Sequence, residues 1–308
     1  MEPKIKIAQV LFFKRTNPPV FIISAIIMLV FIIAVTLFNK ISKKIFDSIQ
    51  LIIIEKFSWI FTVSTVLFLI LVLFLLLSRF GSIRLSSADE KPEFGYVTWF
   101  AMMFSAGMGI GLVFWSIAEP IKHFIKPPLI EPGTITPVDQ AISITFFHWG
   151  FHAWAIYVMV GLCLAYFSFR KGLPLTIRSC FYPLLGNKIY GRWGHCIDIF
   201  AVVGTMFGVA TSLGLGAMQI NSGLNFIGEC PETKLTQIAL IALITLFATV
   251  SVVLGLKKGV SRLSYFNVMM SVILLAFVFI LGPTLFIVNT FGEGIKNYLS
   301  NIIYFSYW

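Results

Sequence analysis

The chain has 308 residues, 58% of them hydrophobic and 12% charged, with a mean hydropathy of +0.93. That composition excludes an ordinary soluble domain and marks an integral membrane protein. The net charge of +10 is scattered between apolar runs rather than gathered on one face, which argues against a nucleic-acid partner and makes the basic residues topology signals.

A basic tail over 1–18, with Lys4, Lys6, Lys14 and Arg15, leads into an apolar run from Pro19 to Phe38. At about 20 residues the run is too long for a signal-peptide core, and no A-x-A-like site follows, so it is the first span. Further apolar runs at 59–78, 96–117, 139–167, 197–227, 236–256 and 265–289 bring the expected spans to seven. A cytoplasmic amino terminus places 15 Lys and Arg inside: four in the tail, three at 79–95, five at 168–196 and three at 257–264. The other 8 fall outside, a bias that supports this orientation although Lys40, Lys43 and Lys44 oppose it.

The third run, YVTWFAMMFSAGMGIGLVFWSIAEP over Tyr96 to Pro120, has no charged side chain from Thr98 to Ala118 but carries Gly107, Gly109 and Gly111 at its centre. Each glycine costs roughly 1 kcal/mol in helix propensity, so the span is expected to unwind there or to let a ligand reach backbone. Such backbone is tolerated at membrane depth where it lines a protein cavity. Close helix packing through small residues is the alternative. A dinucleotide fingerprint is the weaker reading, because its glycines must follow a strand and open a helix, whereas these sit inside one apolar run.

The fourth run contains FHWGFHAWAIY over Phe147 to Tyr157. On one continuous helix, Trp149, Trp154 and Tyr157 stand at roughly 0°, 140° and 80°, sharing a broad face. Such a face attracts a quaternary ammonium without needing hydrogen bonds, each desolvated ring contributing about 0.5–2 kcal/mol; an interfacial aromatic belt is the competing account. His148 and His152 lie four apart, but neither an HExxH glutamate nor a third ligand accompanies them, so a packing or hydrogen-bonding role is expected rather than a metal site. The four cysteines lack CxxC or metal spacing. In the fifth run Thr205, Thr211 and Ser212 offer hard oxygen ligands for a small cation, or else bond within their own helix.

The segments SAGMGIGLVFWSIAEP, FFHWGFHAWAIYVMVGL, FGVATSLGLGAMQI and KKGVSRLSYFNVMMSVILLAFVFILGPT, in this order and spacing, resemble the betaine/carnitine/choline transporter family over about Lys91 to Gly294. The resemblance implies an all-α fold of two five-helix repeats of inverted topology, preceded by two extra helices, with substrate bound halfway across. Residues 19–95 are then the two peripheral helices and their loops, 96–289 the first repeat (spans three to seven), and 290–308 an outer loop. By resemblance, Trp149, Trp154 and Tyr157 form a cage for a trimethylammonium group. Ala106, Met108, Gly109 and Gly111 match the unwound substrate segment, and Ser105, Met108 and Thr205 are expected at ion sites. The methionine at 108 is the one kept by sodium-coupled members, whereas Val209 stands where a second hydroxyl would serve an ion, with Thr211 nearby.

The function so implied is uptake of glycine betaine or a similar compatible solute under osmotic stress. It is sodium-coupled, non-enzymatic, free of organic cofactor, seated in lipid of the cell membrane and assembled as a homotrimer. The absence of an acidic residue from Tyr96 through Ala118, and Gly111 where choline-selective relatives place Asp, favour a zwitterion over choline. The family has twelve spans and these residues cover seven. The expectation from sequence is therefore half of a transporter, with a non-transporting remnant or partner of a full-length relative as the alternative.

Overall fold

The structure is a computed structural model describing residues 17–86, 90–107, 109–128, 136–228 and 230–307. Met108 and nearly all of the basic tail lie outside the described residues. In chain order the helices are α1 (Pro18–Leu37), α2 (Asn39–Leu77), α3 (Tyr96–Gly107), α4 (Ile110–Ile125), α5 (Pro137–Trp149), α6 (Phe151–Ala165), α7 (Tyr182–Leu185), α8 (Arg192–Gly228), α9 (Lys234–Val253), α10 (Ser261–Leu281), α11 (Thr284–Ser300) and α12 (Ile302–Tyr307). No strand occurs among the described residues.

Local chemistry sets several boundaries. Pro18 opens α1, where a missing N–H costs nothing. Thr136 caps α5: its hydroxyl accepts from the Asp139 amide at 3.2 Å and donates to the Asp139 carboxylate at 2.6 Å. Thr233 caps α9 by accepting from the Thr236 amide at 3.2 Å. Gly255, at φ +79°, provides the left-handed residue after α9.

Among the described residues six helical stretches are long and apolar enough to cross a membrane: Pro18–Leu37, Asn39–Leu77, Pro137–Arg170, Arg192–Gly228, Lys234–Val253 and Leu256–Leu281. Large apolar side chains along them are exposed, and α2 buries no residue at all. Outward apolar surface with internally satisfied helical backbone is what lipid demands. The chain is a multi-pass, all-α membrane protein.

The expected third span is interrupted, as its glycines predict. α3 ends at Gly107 and α4 starts at Ile110, with Gly109 extended at φ −86°, ψ −175°. At 12 and 16 residues neither piece alone spans a ~30 Å core.

Three other expectations are corrected. The second span reaches back to Asn39, and the resulting 39-residue helix carries Lys40, Lys43 and Lys44 in its first turns. At ~1.5 Å per residue it is roughly 58 Å long, well beyond the hydrocarbon core. The seventh span stops at Leu281, before the Gly282–Pro283 pair, rather than at 289. The expected loop over 290–308 is helical through its described residues, forming most of α11 and then α12, which ends at Tyr307.

The chain divides into two compact units. The first contains α1, α2, α6, α7, the connections through 191 and α8 as far as Phe207; in it α2 packs against α1 and α6. Arg178, 1% exposed, donates from Nε to Asp198 Oδ2 at 2.6 Å and from its backbone amide to Oδ1 at 3.2 Å. Its Nη1 donates to the Ile189 carbonyl at 3.3 Å, so the 168–196 connection is tied to the start of α8.

The second unit contains α3, α4, α5 and residues 208–306. α3 packs on α10, while α4 and α11 both pack on α5. Ile144, Tyr298 and Phe305 form a small buried cluster with Phe146, Phe147, Ile302 and Tyr304 around it. The helical tail therefore docks on α5. Gly294 allows the approach, because a Cβ there would run into the Phe146 ring and Ile142.

Candidate functional site

The residues singled out from sequence fall in both units. In the second, Ser105 sits one turn before the break and joins α3 to α10. Its hydroxyl donates to the Ser264 carbonyl at 3.3 Å and accepts from the Asn267 side chain at 3.2 Å. Ala106 is exposed, Gly109 caps α4, and Gly111 stands in the first turn of α4 with open space where a Cβ would be. The interruption leaves the carbonyl end of α3 and the amide end of α4 without intrahelical partners, a pair of opposed partial charges on unwound backbone.

The aromatic run, one continuous helix by its sequence, is broken in the structure, which corrects that expectation. α5 ends at Trp149 and α6 starts at Phe151, with Gly150 non-helical at φ −91°, ψ −145° between them. The helical-wheel relation therefore holds for Trp154 and Tyr157 but does not extend to Trp149. Trp154 and Tyr157, three apart on α6 in the first unit, have ring centroids 5.5 Å apart at 40°. Tyr157 is 57% exposed.

Trp149 belongs to the second unit and is held by a residue that sequence reasoning missed. Its indole Nε1 donates to Glu119 Oε2 at 2.8 Å. His148 Nδ1 lies 2.8 Å, and His123 Nε2 3.3 Å, from Glu119 Oε1. Glu119 itself is 5% exposed. The expectation that His148 serves as a hydrogen-bonding histidine matches this arrangement. Glu119 escaped notice because it lies just past the charge-free stretch ending at Ala118. A lone acid with His123 one turn later was the available signal.

Thr205 lies on α8 in the first unit, its hydroxyl donating to the Ala201 carbonyl at 2.8 Å. It borders a cavity of about 630 Å³ between α1 and α8, lined among others by Phe21, Ser24, Met28, Thr176 and Asp198. The hydroxyls of Ser24 and Thr176 are buried without a hydrogen-bond partner among the described residues.

The sequence profile of the betaine/carnitine/choline family of transporters matches residues 19–308, and the chain belongs to that family. It is 43% identical over 295 residues to a probable glycine betaine transporter of Desulfitobacterium hafniense, covering 96% of this chain and 59% of the relative. Against the glycine betaine transporter OpuD of Bacillus subtilis it is 46% identical over 266 residues, covering 86% and 52%. Against the osmo-dependent choline transporter BetT2 of Acinetobacter baylyi it is 41% identical over 286 residues, covering 93% and 42%. The chain spans about half the length of the curated relatives it matches.

Proposed function

We propose that this chain forms the substrate-binding part of a sodium-coupled secondary transporter for glycine betaine or a closely similar zwitterion. The protein resides in the cell membrane with its amino terminus cytoplasmic and assembles as a homotrimer. The observation that carries the reading is the interrupted helix between Gly107 and Ile110 in a chain belonging to this family. An amide-rich helix start carries a partial positive charge suited to a carboxylate, and the carbonyl-rich end of α3 suits a cation. A zwitterion brings both charges. Its trimethylammonium end suits aromatic faces, for which the candidates by family resemblance are Trp154 and Tyr157 on α6 in the first unit and Trp149 on α5 in the second.

By family resemblance the candidate sodium ligands are Ser105 and Met108 in the second unit and Thr205 in the first, and inward sodium movement adds about 2.3 kcal/mol per charge per 100 mV to the concentration gradient. The test is uptake of labelled glycine betaine by proteoliposomes of the full-length protein. Saturable accumulation should require an inward sodium gradient and collapse when potassium replaces sodium. Equal accumulation with either cation would overturn the coupling, and choline displacing label far better than betaine would overturn the preference for a zwitterion.

A further inference from the structure

Glu119 has no part in the roles assigned so far, yet it is among the most thoroughly engaged side chains of the second unit. A carboxylate offers about four acceptor sites, and here three ring nitrogens converge on its two oxygens. The closest approaches come from neighbouring residues at the end of α5, His148 and Trp149. Their rings also stack on each other, with centroids 4.9 Å apart at 27°. The Trp149 indole is thus fixed in two ways: its N–H is held by Glu119, and one of its faces is covered by the imidazole.

We infer that Glu119 is a positioning residue for solute recognition, locking the Trp149 indole so that its uncovered face is presented to a quaternary ammonium group. Hydrogen bonds to a carboxylate are roughly twice as strong as neutral ones. Electron density pushed through the N–H also makes the ring a better partner for a cation. Trp149 is the last residue of α5, followed by non-helical Gly150, so its own helix gives it little orientation. The inference rests on the proposed contact between Trp149 and solute.

The experiment measures betaine uptake by proteoliposomes of the full-length protein carrying E119A, E119Q, W149F and E119A/W149F, at matched reconstituted amounts. E119A should raise KM roughly tenfold with kcat within about twofold, since a charged hydrogen bond is lost. E119Q, which keeps an acceptor oxygen, should restore much of the affinity. In the W149F background, where no N–H remains to be held, E119A should change KM by less than about twofold. Ultraviolet resonance Raman supplies a readout independent of transport: the hydrogen-bond-sensitive indole band that disappears in W149F should shift in E119Q. E119Q and the Raman band decide the matter where E119A does not yield folded protein. An unshifted band, or KM effects of E119A and W149F that multiply, overturns the positioning role while leaving Trp149 a solute contact. W149F with unaltered KM instead overturns Trp149 as a solute contact.

Discussion

Two buried carboxylates, one in each unit, are satisfied in opposite ways. Asp198 meets the guanidinium of Arg178, a permanent cation with a fixed fork of donors, and the pair welds a connection to the start of α8. Glu119 meets two imidazoles and an indole, none of which carries a permanent positive charge. The first arrangement is complete in itself and lies in a segment to which no solute role attaches. The second shares its charge among three ring N–H or ring nitrogen partners, one of them on an aromatic residue expected at the solute. Buried charge alone therefore does not distinguish a brace from a working group. The chemistry of the partner does.

The largest expected effect lies on the brace. Arg178→Met leaves Asp198 unpaired among buried groups, a defect of about 3–5 kcal/mol. We expect loss of most folded protein, read by fluorescence-detected size exclusion after a temperature ramp. Glu119→Gln should cost much less in the same assay. Equal destabilisation by the two variants would break the comparison. The helical tail forms a second brace. Gly294→Val forces side-chain atoms into the space held by Phe146 and Ile142, where overpacking typically costs about 1–3 kcal/mol. Limited proteolysis within 284–307 should accelerate, and an unchanged cleavage rate would mean that α11 does not need its close approach to α5.

How much of this was legible beforehand depended on whether the signal was local. Three glycines within five positions foretold the break between α3 and α4, because helix propensity is set residue by residue. A single glycine at 150 gave no comparable warning, so the aromatic run was laid on one helix and Trp149 was given a shared face that Gly150 interrupts. Hydropathy located the apolar runs but undercounted α2, whose first turns bear lysines yet continue the same helix. The stretch from 290 onward reads as loop in the sequence because the burial of its helices depends on residues such as Ile144 and Phe146, about 150 positions earlier. Glu119 was hidden by the same kind of distance, with its partners Trp149 and His148 some 30 residues downstream.

Effects on the working side should appear in affinity and leave stability alone. Trp154→Ala removes one desolvated ring, so the half-saturation concentration for betaine in the full-length protein should rise roughly tenfold for about 1.4 kcal/mol of lost cation–π attraction. Trp154→Phe should cost less. Tyr157 keeps its place on α6 in either variant, and an alanine variant with unaltered uptake at equal reconstituted amounts would show that the Trp154–Tyr157 pair serves packing alone.

The smallest effect, and the cleanest separation of the two roles, is expected at Thr205. Its hydroxyl already donates to the Ala201 carbonyl within α8, so the oxygen retains lone pairs that can still face a cation. Thr205→Val removes that oxygen while keeping the branched shape. The lost bond is local and returns a carbonyl that remains in the helical ladder, which limits the stability cost to a fraction of the about 0.5–1.5 kcal/mol of a typical hydrogen bond. A sodium ligand removed by the same change should raise the half-saturation concentration for sodium by roughly two- to tenfold, with betaine affinity at saturating sodium unchanged. Thr205→Ser, which keeps the oxygen, should restore the sodium response. Should Val and Ser variants have the same sodium dependence as the parent protein, the Thr205 hydroxyl serves only its own helix, and the ion site must be sought nearer Ser105.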